Sequence, residues 1–417
     1  MQRYVTILIF NEPILKGFTA MFKPIFLAGL ALVCAAFSAP AAPEPIVVVK
    51  QTTFNPTLSF RGVTGDAELS RELTSILGAC GWFDLVRGDK ADFTLSGTRN
   101  GNVLQLTLEQ GGAPVGAWSV TIAGGDRAVA KHAVDAIIEK TFKELKVRGF
   151  CTSRIAFCAQ TAPGVRNIYV CDIDGNNVKQ VTHYNSLCVE PCWFPDGKSI
   201  GYSKYNRTSI DVIQTVLASR RSRVLSNFRG INAGAAISPN GRQMAVILSP
   251  DHKVDLYILP IGGGKVRRLT SNMAVEASPC WSPDGRQLAF VSDETGAPRI
   301  FIASLDGSGR KRLPTIGSDA VTPDWSSDGK IVYATRVNGS YTLAVYDLKS
   351  GKNERITEMP GTWESPAWAA DNRHVVCKRS DGAKSALYVV DTWTGRARLL
   401  LSTPYNLSMP VWSPCAR

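Results

Sequence analysis

The chain has 417 residues, 44% of them apolar and 20% charged, and a formal net charge of +12. That composition is ordinary for a folded globular protein, and the length suits two domains. The positive balance favours acidic partners, but no Lys/Arg-rich run interleaved with aromatics occurs, which excludes nucleic acid as the expected one.

The N-terminus reads as an export signal. From Met21, Lys23 precedes an apolar run over residues 25–37 and then a string of small residues. Such a run is too short to span a bilayer as a stable helix and fits a cleaved secretory peptide. Residues 1–41 are assigned to this leader, with Met21 as an alternative start and cleavage after Ser38 or Ala41. Cys34 does not fit a lipid-anchored cysteine, because Val33 stands where a small residue is required. Nothing later in the chain is apolar and long enough to cross a bilayer, so an exported chain without a membrane span is expected.

Residues 42–150 read as a small α+β domain. "IVVV" from Ile46 has the look of a buried strand. A helix follows, capped by Asp66, with Leu69, Leu73, Ile76 and Leu77 on one face and Gly78 or Gly81 as its stop. "ADFTLSGTRNGNVLQLTLEQ" predicts two strands joined at Asn100-Gly101, and "AWSVTIAG" predicts a third. A second amphipathic helix is expected to be capped by Asp126, with Val129, Ala133, Ile137 and Leu145 inward.

Residues 151–417 repeat. "SPCWSPDGRQLAF" from Ser278 has counterparts whose Trp position falls at Trp193, Ile237, Trp281, Trp325, Trp368 and Trp412, in steps of 44, 44, 44, 43 and 44 residues. Each unit reads as a strand ending in Trp, an Asp-Gly turn, a strand like "LAFVS", a strand like "LYILP" and a strand ending in "RLT". Four short strands per unit of this length predict a blade, and six units predict a six-bladed β-propeller. The segment starts on a second strand at Arg154 and ends on a first strand, so the last blade must be built from both ends. That pairing removes the free edges. The second blade looks eroded, with Ile237 in place of Trp and an Arg220, Arg221, Arg223 cluster in a loop that suits solvent or an acidic partner.

Counting along the repeat, Cys415 falls on the position of Asp284, and so does Cys151 when counted back from Phe157. A Cys151–Cys415 disulfide across the join is therefore expected, as an exported chain meets an oxidising compartment. Cys188 and Cys192 are close enough in sequence to pair in a loop, whereas Cys377 replaces a core Phe and is expected buried and free.

Signs of catalysis are missing from the pattern. The four histidines, His132, His183, His252 and His374, have no metal-ligand spacing, and no G-x-S-x-G elbow occurs. Asp172 and Asp174 resemble a fragment of a calcium loop, but the Asp306-Gly307 of another unit recurs there as a turn. No cofactor or metal is expected, and the chain reads as a binding protein rather than an enzyme.

The blades, the exported context and the join "KHAVDAIIEKTFKELKVRGFCTSRIAFCAQ" into "NIYVCDIDGNNVKQVT" together resemble the TolB family, the periplasmic component of the Tol-Pal system. "SRELTSILGACGWFDLV" and "ADFTLSGT" are similar to the family's N-terminal domain, so the resemblance runs from Pro45 to Arg417. It implies a monomeric periplasmic scaffold, peripheral to the outer membrane, that binds the peptidoglycan-associated lipoprotein Pal through the propeller and supports envelope integrity and constriction at division. A TolA-like inner-membrane protein is the second implied partner, through the N-terminal segment; here only "APAAPEP" precedes Ile46, a departure from the family's longer segment. By similarity, Pal contacts would come from the loops entering each Trp strand, at Glu190, Asn232, Glu276, Ser278, Asp319, Thr322, Trp363, Glu364 and Ser408. The alternative is an exported propeller that binds glycan or peptidoglycan fragments, for which Trp363 and Trp393 are the candidate exposed aromatics.

Overall fold

The computed structural model describes residues 54–88, 90–382 and 384–415, all within one compact unit, Val48–Arg417. The expected leader, the strand at Ile46 and the segment expected to meet TolA lie outside the described residues.

The N-terminal domain is a sheet of β1 (Thr57–Thr64), β2 (Asp84–Leu85), β3 (Phe93–Asn100), β4 (Val103–Gln110) and β5 (Ala113–Thr121), with helices α1 (Ala67–Cys80) and α2 (Asp126–Thr141) packed against it. Its strand order is β2-β1-β3-β4-β5, with β1 parallel to both neighbours. Helix α1 follows expectation: Asp66 accepts the Leu69 N–H at 2.9 Å, the four expected apolar side chains are fully buried, and Gly81 ends it at φ 69°. Strand β1 escapes the period-two pattern because a bulge between Phe60 and Val63 shifts its alternation. Helix α2 departs at both ends. Gly125 is its cap, Asp126 lies inside the first turn, and the chain leaves the helix before Leu145, which is 54% exposed.

The propeller has six antiparallel four-stranded blades. Their inner strands are Cys188–Trp193, Asn232–Ile237, Glu276–Trp281, Ala320–Trp325, Thr362–Trp368 and Asn406–Trp412, which number blades one to six. Blade six is completed by Arg154–Ala162, Val165–Asp172 and Lys179–Gln180, so the two ends of the propeller pair as expected. Features read as one eroded blade divide between two sheets: the arginine cluster belongs to blade one and Ile237 to blade two.

The "SPDG" element is explained by its hydrogen bonds. Ser282 Oγ donates to Asp284 Oδ1 at 2.6 Å and accepts the Gln287 N–H at 2.9 Å. Ser238 with Asn240 and Ser326 with Asp328 repeat this in their blades. The same lock closes the ring between distant residues: the Arg154 N–H donates to Ser413 Oγ at 2.8 Å, and the Ser413 N–H to the Arg154 carbonyl at 2.7 Å. This arrangement corrects the expected disulfide. Cys151 and Cys415 are free thiols; Cys415 Sγ lies 3.2 Å from Ser153 Oγ and 3.1 Å from the Gly149 carbonyl, occupying the aspartate's place as a hydrogen-bonding group. Cys188, Cys192 and Cys377 are free as well.

Each inner strand is broken at one equivalent place. Three residues before the Trp position, Glu190, Gly234, Ser278, Thr322, Ser365 and Met409 all have positive φ, between 48° and 62°. At the same level the pairing of every inner strand with its neighbour slips by a bulge. Five of the six positions carry a side chain where glycine is the unstrained residue. Thr322 is the most strained, being β-branched with a buried hydroxyl that has no partner. Replacing Gly234 by Ala should therefore cost about 1 kcal/mol, while Thr322→Gly should be neutral or stabilise by up to about 1 kcal/mol. Urea unfolding of both variants checks the pair, and equal destabilisation would show that the strain lies elsewhere.

Candidate functional site

An antiparallel meander sorts its connections onto two faces. In each blade the turns from first to second and from third to fourth strand share one face, here the turn face. Links from second to third strand, and onward to the next blade, share the other, here the open face.

The N-terminal domain takes the turn face under blades five and six. Arg127 on α2 reaches Glu72 at 2.7 Å, Asp172 at 2.6 Å and Asp174 at 2.5 Å, and Lys131 reaches Asp172 at 2.5 Å. Burial opposes the Arg127 charge, but the three carboxylates outweigh it and hold the group above the ordinary arginine range. Burial likewise opposes ionisation of Asp174, yet the bonds from Arg127, Ser75 and Asn176 bring it down to about 2. The residues read as a calcium-loop fragment are thus anchors for a neighbouring domain. Beside them the Arg373 guanidinium lies between the rings of Trp82 and Trp393, 4.5 and 4.7 Å from their centroids, and pairs with Asp391. Trp82 Nε1 and His374 Nδ1 both meet Asp371 Oδ2, at 3.0 and 2.6 Å. Gly81 sits so close to His374 that an added Cβ would fall 2.6 Å from Nε2.

Around the channel, successive inner strands are stitched together. Glu190 Oε2 accepts the bulged Gly234 N–H of the next blade at 2.7 Å and the Ser203 hydroxyl at 2.7 Å. Asp324 Oδ2 accepts the Trp368 N–H at 2.6 Å, and Cys280 approaches its other oxygen at 3.5 Å. Burial raises both carboxyls above the usual range, although their hydrogen bonds pull the other way. Trp193 and Trp281 donate their ring N–H backwards to the Val411 and Ala236 carbonyls.

The expected contact residues divide into two groups. Glu190, Ser278 and Thr322 are bulge residues at the channel and half-buried. Asp319 accepts the Arg336 N–H and the Tyr341 hydroxyl, both at 3.0 Å, Glu364 pairs with Lys378 at 2.9 Å, and the Ser408 hydroxyl is buried without a partner. Asn232, Glu276 and Trp363 are corrections. Each is at most 1% exposed: Asn232 bonds Ser226 and Phe228, Trp363 packs in the core and donates to the Met359 carbonyl, and Glu276 meets Ser292 and Arg310. Fully buried side chains have no surface to offer a partner. The glycan alternative loses its platform as well, since Trp363 is core and the half-buried Trp393 has its ring against the Arg373 guanidinium and Trp82.

Four residues outside that reading stand out on the open face. Phe228, Met273, Met359 and Tyr405 are 42%, 85%, 41% and 46% exposed, and each lies in the link to the next inner strand. An apolar residue recurring shortly before four of the six inner strands was the available signal, obscured by unequal link lengths. Among the described residues no group of three His, Cys, Asp or Glu is placed to hold a metal ion.

Comparison with known proteins follows the same division. The profile of the TolB β-propeller domain matches residues 142–416. A Tol-Pal system protein TolB of Desulfosudis oleivorans is 35% identical over 121 residues, 29% of this chain and 27% of that protein. Its counterpart in Legionella pneumophila (strain Corby) is 30% identical over 109 residues, 25% of each. The chain thus spans about a quarter of the length of these curated relatives. The crystal structure of TolB from Acinetobacter baumannii shares the fold, with a TM-score of 0.78 at 20% identity over 88% of this chain and 99% of that one.

Burial raises the Glu276 carboxyl to about 7, and Arg310 only partly offsets it. A carboxyl that binds its proton more tightly folded than unfolded favours the folded state at low pH, and that advantage is lost as pH rises from about 4.5 to 7. Stability should therefore fall across this window by on the order of 3 kcal/mol from this group alone, and Glu276→Gln should flatten the slope. Urea midpoints from pH 4.5 to 8 test it; parallel slopes in the two proteins would refute it.

Proposed function

The chain belongs to the TolB β-propeller family, and on that premise we propose that it is a non-catalytic, periplasmic binding component of a Tol-Pal envelope system. Its partner is a Pal-like peptidoglycan-associated lipoprotein, received on the open face of the propeller, and its role is to support outer-membrane integrity and constriction at division. The observation that carries this reading is the set of exposed apolar side chains, Phe228, Met273, Met359 and Tyr405, in the links around the channel on the face away from the N-terminal domain. Exposed apolar groups set on a rigid scaffold and rimmed by polar residues are the usual anchors of protein interfaces. The half-buried Glu190 and Ser278, with Asp319 and Glu364, supply the polar surround. A TolA-like inner-membrane protein is the second proposed partner, engaged by residues preceding the described domain.

Calorimetry with the soluble domain of the Pal-like lipoprotein tests the assignment. Met273→Asp and Met359→Asp should each weaken binding by about tenfold or more. Lys349→Ala, an exposed change on the turn face, should leave binding unchanged. Undiminished affinity in both open-face variants, or no binding by the folded wild-type protein, would overturn the proposal.

A further inference from the structure

A cleft of about 350 Å³ opens between α2 and blade six, lined by Arg127, Lys131 and His132 from the helix, Thr152 from the connector, and Arg154 and Lys179 from the blade. It lies on the turn face, away from the proposed protein interface. Two of its cations are satisfied, since Arg127 and Lys131 share Asp172, Asp174 and Glu72. Arg154 is in a different position. Its half-buried guanidinium gives Nη2 to the Gly197 carbonyl at 2.7 Å and lies 5.1 Å from the Trp193 ring centroid. The negative charge it feels is that of Asp172, whose oxygens are already taken by Arg127, Lys131 and Asn177. Burial accordingly lowers its proton affinity, so this cation is desolvated without a carboxylate of its own. The Thr152 hydroxyl in the same cleft is buried beside the Asp135 carboxylate, which also accepts the Thr152 N–H.

From this arrangement we propose that the cleft is a binding site for a small oxyanion, the phosphate or carboxylate group of a ligand, with Arg154 as its primary donor. A guanidinium presents paired N–H groups that match two oxygens of either anion. Lys179, exposed at the rim, contributes charge from the solvent side. The inference does not depend on the lipoprotein reading, and either can fail alone.

Thermal melts and calorimetry on the mature protein, with inorganic phosphate, pyrophosphate or citrate against chloride at matched ionic strength, provide the test. Stabilisation above chloride is expected, with phosphate species alone marking a phosphate site and citrate alone a carboxylate site. Arg154→Gln should weaken binding by about tenfold or more. Lys179→Gln should fold normally and bind less tightly. No anion-specific stabilisation, or the same stabilisation in both variants as in the wild type, would overturn the proposal.

Discussion

A propeller holds its shape only if its last strand pairs with its first, because each blade buries its faces against two neighbours and an open ring would leave two of them bare. Here that pairing joins Asn406–Trp412 to Arg154–Ala162. The bond between the Arg154 N–H and Ser413 Oγ reproduces, between chain ends, the lock that Ser282 makes with Gln287 inside blade three. Closure is therefore one more copy of a local turn, with the covalent link through the turn left out. Backbone pairing and side-chain packing must make up the difference, and Trp412 and Phe150, 5.6 Å apart and edge to face, do so at the junction.

The N-terminal domain docks at that same seam. Asp135 on α2 accepts the N–H groups of Cys151 and Thr152, at 2.6 and 3.1 Å, in the connector just before the first propeller strand. Arg127 meanwhile holds the turn that ends Val165–Asp172. One helix thus grips both the entering strand of blade six and its outer turn. A buried ion-pair network of this kind adds little net stability over apolar packing, but removing one member strands the others without counter-charge. Its consequence is a definite orientation between domains.

How much of this was legible depended on whether a structural role demanded one residue type. The ring was legible because Trp at the blade wedge and Asp-Gly or Asn-Gly at a positive-φ turn leave little choice. The bulges were not, because Glu190, Gly234, Ser278, Thr322, Ser365 and Met409 share a backbone conformation and no chemistry. The domain interface was invisible for another reason: Trp82, Arg127, Arg373 and Trp393 are far apart in the chain, and each alone reads as an ordinary core or surface residue. Counting along the repeat brought Cys151 and Cys415 to one turn but could not say that Ser153 and Gly149 would receive the second thiol. It also located the links that enter the inner strands while mistaking their inward residues, Asn232, Glu276 and Trp363, for outward ones. Strand alternation restarts after a bulge, so facing cannot be counted across it.

Those bulges bear on function because of where they sit. Within each inner strand, the Trp end lies toward the turn face and the opposite end toward the open face, with the bulge between them. An irregular residue there lets the Trp end satisfy the blade wedge while the other end follows the curvature of the channel mouth. The carboxylate of Glu190 and the sulfur of Met409 then bond across the bulges of adjacent blades, so the mouth is braced from blade six through blade two. A braced rim keeps exposed groups such as Tyr405 and Phe228, in the links entering blades six and two, from collapsing onto one another, as apolar side chains on flexible links would do. Preorganisation of this kind lowers the ordering cost of association, which makes a few scattered apolar side chains sufficient anchors for a partner.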